Sequence, residues 1–121
     1  MPYHVSKPEF DDLVERALRD VPPPFDQFLE EVSVEVRARP TAEQRKSDRS
    51  LLGLYHGSPL TRRNVEALPQ LPDVIYIFQE AHEQMCNSEA ELIEQVRKTV
   101  LHEIGHHFGM SEEDLDELGY G

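Results

Sequence analysis

The sequence has a single cysteine and few basic residues, and each shortage excludes a class of protein. Cys86 cannot form a disulfide within the chain, which is typical of proteins in a reducing compartment. Because no Cys and His framework surrounds it, we interpret this thiol as structural. Twelve Lys and Arg against 24 Asp and Glu give a formal charge of -12. Binding to nucleic acid or to an anionic membrane surface requires cations, so we expect neither as a partner.

Long hydrophobic runs are also missing. No stretch approaches the roughly 20 apolar residues of a membrane-spanning helix, and the opening MPYHVSKPEFDD lacks the apolar run of a signal peptide. We therefore expect a cytoplasmic protein. The 121 residues suffice for one domain with a modest core. These patterns leave the oligomeric state open.

Capping signatures and helical periodicity predict helices in the first part of the chain. Ser6 and Glu9 have the spacing of a capping box, and the apolar residues behind them predict a helix over about residues 7–20. A run of three prolines ends this helix, and we expect a short helix carrying Phe25 and Phe28 to follow.

The middle of the chain predicts a small sheet. In residues 32–39, valine and alanine alternate with polar residues, which is the period of a half-buried strand. Residues 73–79, DVIYIFQ, form a continuous apolar run that suits a central strand buried on both faces. Residues 51–61 indicate a short strand followed by a turn, and residues 40–50 indicate an exposed loop.

The clearest helix pattern precedes Gly109. Ser88 and Glu91 form a capping box, and no proline or glycine interrupts the chain until Gly105, which predicts a helix of about 20 residues. Ser111 then indicates the start of a last short helix.

The polar residues near the end of the long helix fall into two groups in a helical projection. His102 and His106 lie together on the flank of the apolar stripe, whereas Glu103 and His107 fall inside it. We interpret His107 as a core or supporting residue because its direction diverges from that of the pair. A carboxylate aimed at apolar surroundings is costly unless a cation compensates it, so Glu103 favours a metal beside the two imidazoles.

Residues 102–106, HEIGH, match the HExxH pattern of zinc hydrolases. Histidines one helical turn apart can share one Zn²⁺, and the glutamate between them can take a proton from a metal-activated water. The alternative is a polar helix end that happens to be rich in histidine.

A catalytic zinc site normally has three protein ligands and one open position. We predict Glu112 as the third ligand, because Gly109 lets the chain turn back over His106. The alternative is that Glu112 only places negative charge in the first turn of the last helix. The lesser candidates for this position are a water molecule, Asp114, His56 and His82.

Three segments together resemble the minimal zincin-like zinc metallopeptidase family, a group of small bacterial proteins. The segments are LLGLYHGSPLT at 51–61, LPDVIYIFQ at 71–79 and VLHEIGHHFGMSEEDLDELGY at 100–120, and the resemblance extends over most of the chain. The resemblance implies a compact α+β zincin-like domain, in which a small mixed sheet packs against an active-site helix and flanking helices. It also implies a Zn²⁺ ion held by an HExxHxxGxxD motif.

The family motif can be transferred residue by residue. His102 and His106 match the histidine ligands, Glu103 matches the general base, and Gly109 matches the turn. Glu112 stands where the motif has aspartate.

We therefore predict a zinc-dependent metallopeptidase that hydrolyses peptide bonds, with a peptide or protein substrate added to the edge strand at residues 32–39. The candidate oxyanion stabilisers are Tyr55, Tyr76 and Tyr120, each of which also suits a packing role. One alternative is a non-catalytic zinc-binding interaction module of the same fold. Another is an interaction protein without a metal.

Overall fold

The computed structural model describes residues 2–19, 21–45, 51–56 and 73–119. In these ranges three strands form one mixed sheet of order β1-β3-β2, and helices pack against it, so the fold is α+β as predicted. The strands are β1 (Val32–Arg37), β2 (Gly53–His56) and β3 (Asp73–Phe78). The helices are α1 (Lys7–Leu18), α2 (Phe25–Leu29), α3 (Ala42–Arg45), α4 (Gln79–Met85), α5 (Glu89–His107) and α6 (Glu112–Leu118).

The central strand of the described sheet is β3, as its apolar run predicts. β1 pairs with it in parallel, with Val32 opposite Asp73, and β2 pairs with it antiparallel, with Gly53 opposite Ile77. Burial of β3 is unequal on its two faces. Ile75 and Ile77 are fully buried, whereas Val74 and Tyr76 on the other face are only half-buried. The expectation of complete burial on both faces was wrong, because α5 packs against the face that carries the isoleucines.

The long helix α5 is the element that joins the sheet to the other helices. Its N-cap is Ser88, whose side chain accepts a hydrogen bond from Glu91 N, as the capping box predicts. A Cβ atom at Gly53 would lie 2.7 Å from Thr99 Cγ2, so only glycine allows α5 to approach β2 this closely. The buried stripe of the helix contains Leu92, Val96, Val100, Leu101 and Ile104.

The first helix packs against α5 and contributes to the core. Ser6 caps it by accepting from Glu9 N, and it ends at Leu18, two residues before the predicted end. Its carboxyl end is held by α5, because Arg97 Nε donates to the carbonyl of Ala17 over 2.8 Å. The residues that α1 buries are Phe10, Leu13, Val14 and Ala17.

The predicted loop at 40–50 was wrong in part. Residues 42–45 form the single-turn helix α3, and Pro40 is buried. The sequence of this turn, AEQR, consists of residues with high helix propensity, and that local preference explains the turn. Residues 46–50 and the turn predicted at 57–61 lie outside the described residues. None of the helices in the described ranges is long and apolar enough to cross a lipid bilayer.

Candidate metal centre

Two histidines and a glutamate come together at the carboxyl end of α5. His102 and His106 lie one turn apart, with ring centroids separated by 4.6 Å. Glu112 Oε1 lies 2.8 Å from His106 Nε2 and 3.5 Å from His102 Nε2. One potential ligand atom from each of the three residues lies within 4.8 Å of the others. The structure therefore brings together the three side chains that the sequence predicts as ligands, and we call them the ligand set.

The turn after α5 carries Glu112 back to the histidines. Gly109 has φ of 93°, a left-handed conformation that favours glycine. The turn is closed by hydrogen bonds from Gly109 N to His106 O over 3.1 Å and from Met110 N to Gly105 O over 2.8 Å. These are the bonds of a helix C-terminal motif, and they direct the chain into α6 beside the last turn of α5.

In the first turn of α6, Asp114 caps the helix and Glu112 does not. Ser111 Oγ accepts from Asp114 N over 3.1 Å, and Asp114 Oδ2 accepts from Ser111 N over 3.0 Å. These hydrogen bonds lower the pKa of Asp114 and commit its carboxylate to capping. Glu112 takes no part in the cap, and its side chain is 64% exposed. The described geometry thus favours Glu112 over Asp114 as the third ligand.

The two distant histidines do not join the ligand set. His56 is exposed on β2. His82 lies in α4 and is committed to other partners. Its Nδ1 lies 2.9 Å from Phe78 O, its Nε2 lies 2.9 Å from Thr99 Oγ1, and the ring is fully buried between α4 and α5. Burial lowers the pKa of His82.

Glu103 follows His102 on α5 and is half-buried. Burial raises the pKa of this carboxyl group, and the positive charge that His102 and His106 can carry acts in the opposite direction. Among the described residues the Glu103 carboxylate has no hydrogen-bond or ion-pair partner. It is therefore a carboxylate with increased basicity and unused acceptor capacity beside the ligand set, which are the properties of a general base.

The donor set matches the chemistry of zinc. Two imidazole nitrogens and one carboxylate oxygen are ligands that Zn²⁺ uses in catalytic sites. Tetrahedral coordination with bonds of about 2.0–2.1 Å places neighbouring ligand atoms roughly 3.3 Å apart. The distance from His102 Nε2 to Glu112 Oε1 is 3.5 Å, close to that spacing. The exposed Glu112 side chain can separate from His106 by the small remaining amount, so these residues fit the metal.

A second group of polar side chains lies beside the ligand set. Tyr55 Oη donates to Asp73 Oδ2 over 2.6 Å, and His107 Nε2 lies 3.7 Å from the same oxygen. The Tyr55 and His107 rings are stacked with their centroids 3.9 Å apart. Sequence reasoning did not single out Asp73. The feature that could have identified it is its position, because Asp73 is an acidic residue at the start of an apolar strand.

Two of the three candidate oxyanion stabilisers, Tyr55 and Tyr76, have other contacts in the structure. The Tyr55 hydroxyl donates its proton to Asp73, which leaves the ring in a packing role against His107. Tyr76 lies beneath the guanidinium of Arg37, whose Cζ is 5.2 Å from the ring centroid. Tyr120 lies outside the described residues.

Comparison with known proteins agrees with this geometry. The sequence pattern of the zincin-like metallopeptidase family matches residues 29–121. That range contains the three described strands, α5, α6 and every residue of the ligand set. No curated protein sequence matches the chain significantly.

Proposed function

Because the chain belongs to the zincin-like metallopeptidase family, we propose that it is a zinc-dependent peptidase. In this proposal His102, His106 and Glu112 bind Zn²⁺, and Glu103 is the general base. The observation that carries the proposal is the convergence of three ligand atoms within 4.8 Å of one another next to a half-buried carboxylate. Such a constellation serves metal-assisted hydrolysis.

Each side chain has a defined part in the hydrolysis. When bound, Zn²⁺ would supply Lewis acidity toward the substrate carbonyl and toward water. Glu103 accepts the proton of the attacking water and delivers it to the amine nitrogen as the peptide C–N bond breaks. The pKa raised by burial makes Glu103 a better proton acceptor than a solvated glutamate. His102 and His106 would hold the metal through Nε2, the atoms that lie 3.5 and 2.8 Å from Glu112 Oε1.

Among the described residues, the number of converging ligands favours a catalytic site over a structural one. In the described part of the chain, these three residues are the set of potential metal ligands that converge. Three protein ligands leave one tetrahedral position for water or substrate, whereas a structural zinc is usually enclosed by four. A non-catalytic zinc-binding interaction module remains the alternative function, and a fourth protein ligand at the metal would favour it.

The proposed substrate is a peptide or protein chain. The edge predicted from the sequence, β1, is an outer strand of the described sheet, and its Arg37 is paired with Glu35 over 2.9 Å. The other outer strand, β2, contacts the metal helix through the stacking of Tyr55 on His107. Contact with the helix that carries the ligand set favours the β2 side of the sheet as the place where a substrate approaches.

Two measurements on the parent protein and the Glu103→Gln variant test this proposal. Elemental analysis should give one zinc per chain for both, because Glu103 is not a ligand. Incubation with a complex peptide mixture, analysed by mass spectrometry, should give cleavage products with the parent alone. Glutamine is nearly isosteric but cannot accept the proton. Zinc in both without cleavage by either would support the non-catalytic module, and absence of zinc from the parent would contradict both functions.

A further inference from the structure

The buried group beside the ligand set connects the metal helix to the sheet. Asp73 is the first residue of β3 and is 3% exposed, and its Oδ2 accepts the Tyr55 hydroxyl over 2.6 Å. The same oxygen is 3.7 Å from Nε2 of His107, the last residue of α5. The planes of the Tyr55 and His107 rings differ by 15°. We call these three residues the Tyr55–Asp73–His107 cluster.

This cluster holds the part of α5 that carries a ligand. The last turn of a helix lacks some of its backbone hydrogen bonds and tends to fray unless other contacts fix it. His107 immediately follows the ligand His106, so a movement of one backbone position displaces the other. On the next residue, Phe108 stacks on Phe28 of α2 with centroids 4.1 Å apart. The end of α5 is therefore held by strands β2 and β3 through His107 and by α2 through Phe108.

A buried carboxyl group such as that of Asp73 is unusual in a contact that serves packing alone. A buried carboxyl group is costly unless hydrogen bonds satisfy it, and an apolar residue at the start of β3 would avoid that cost. The 2.6 Å bond from Tyr55 is in the range of a short, charge-assisted hydrogen bond with defined direction. Such a bond fixes the plane of the Tyr55 ring, and that ring in turn provides the surface on which His107 stacks.

We propose that Asp73 is a positioning residue for the metal centre, which acts through Tyr55 and His107 on the orientation of His106. The inference rests on the zinc binding of the proposed function. Asp73 itself is not a ligand. It orients the Tyr55 ring, the ring holds His107, and His107 holds the last turn so that His106 Nε2 faces Glu112 Oε1 at the observed 2.8 Å.

Tyr55→Phe removes the hydrogen bond, Asp73→Asn removes the negative charge of its acceptor, and a third variant is a matched control. Tyr55→Phe keeps the stacking ring but loses the hydroxyl, and Asp73→Asn keeps the shape of the acceptor. The control, Tyr76→Phe, loses the hydroxyl of another half-buried tyrosine of the same sheet, whose ring faces Arg37. The first measurement is Zn²⁺ affinity by competition with a chromophoric chelator. The second is the visible absorption of the Co²⁺-loaded protein, which reports coordination geometry.

We expect Tyr55→Phe and Asp73→Asn to weaken Zn²⁺ binding by about 10–100-fold, as loss of an outer-shell partner does. The Co²⁺ absorption of both should differ from that of the parent, and Tyr76→Phe should match the parent in both measurements. If Asp73→Asn does not fold, Tyr55→Phe decides the result. Parent-like affinity and Co²⁺ absorption in a folded Tyr55→Phe protein would overturn the inference while leaving the proposed function intact. A parent that binds no zinc would overturn both.

Discussion

Leu115 packs against Gly105 so closely that a side chain at position 105 would collide with it. A Cβ atom at Gly105 would lie 2.6 Å from Leu115 Cδ2. Leu115 is fully buried in α6, and Gly105 lies directly before His106 in α5. The contact sets the separation of the two helices, and the separation in turn sets the distance from Glu112 to the histidines.

The first prediction concerns Gly105→Ala. Alanine has the higher helix propensity by roughly 1 kcal/mol. The collision with Leu115 should outweigh this gain, because overpacking a buried contact costs about 1–3 kcal/mol. We therefore expect a lower free energy of unfolding in urea and weaker zinc binding, since α6 moves away from α5. The double variant Gly105→Ala/Leu115→Ala removes the collision and should recover part of the zinc affinity. A single variant more stable than the parent would contradict this account.

The second prediction concerns Gly109→Ala, where the obstacle is the backbone and not a neighbour. No atom lies within 4 Å of a Cβ atom built at Gly109, but its φ of 93° is strained for alanine. We expect a loss of about 1–2 kcal/mol in unfolding free energy. Gly119→Ala is the matched control, because Gly119 has φ of 88° and caps α6 away from the ligand set. Both variants should lose similar stability, and only Gly109→Ala should weaken zinc binding. Equal zinc affinity in the two would mean that the turn does not position Glu112.

The third prediction is a pH dependence that arises from His82. A carbonyl oxygen only accepts, so the contact with Phe78 O places a proton on Nδ1. Nε2 lies 2.9 Å from Thr99 Oγ1, and the Thr99 hydroxyl also donates to Gln95 O over 2.9 Å. Burial lowers the pKa of His82 in the folded protein below the model-peptide value of 6.5. The unfolded chain consequently binds a proton that the folded protein does not. The contribution of neutral His82 to the free energy of unfolding is fully present above pH 6.5. It is lost as the pH falls from 6.5 through the pKa of His82 in the folded protein.

Urea unfolding of metal-free protein at several pH values measures this effect. The parent should lose stability below pH 6.5 with a slope from His82 of at most about 1.4 kcal/mol per pH unit. His82→Gln should show a shallower slope in that range. His56→Gln, which removes an exposed histidine, should keep the parental slope. Both variants retain His102 and His106, so the difference between the two isolates His82. Identical slopes in all three proteins would contradict the buried neutral state.

Local patterns predicted the elements that carry the ligand set. The Ser88 capping box, the uninterrupted helix and the spacing of His102 and His106 are properties of one continuous segment. The proximity of Glu112 required only one further turn, which Gly109 signals. The ligand role of these residues stays a prediction.

The residues that sequence reasoning placed poorly depend on contacts between distant segments. His82 is buried because α4 meets α5, and Thr99, seventeen positions later, provides its partner. Asp73 on β3 contacts Tyr55 on the neighbouring strand β2 and His107 at the end of α5. Periodicity describes which residues share a face of one element, but it contains no information about what packs against that face.

The fourth prediction tests Glu112, where helix capping offers a competing explanation. As a ligand, Glu112 places a negative charge on the metal, and Glu112→Gln should weaken zinc binding by at least about 10-fold. As a first-turn charge alone, it should contribute only about 0.3–1 kcal/mol to stability and leave zinc affinity unchanged. The carboxylate oxygen lies 2.8 Å from His106 Nε2, which favours the first account.

Two further variants make the measurement of Glu112 decisive. Glu113→Gln is the matched control, because it removes an exposed acidic residue from the same turn of α6 but outside the ligand set. It should cost the same helix-terminal stabilisation and retain zinc affinity. Glu112→Asp restores the residue of the HExxHxxGxxD motif, and it should keep the metal if the Gly109 turn adjusts for the lost methylene. Chelator competition on the four proteins provides the readout. Equal weakening in Glu112→Gln and Glu113→Gln would mean that α6 acts through its charge, and the third ligand would then have to be sought elsewhere.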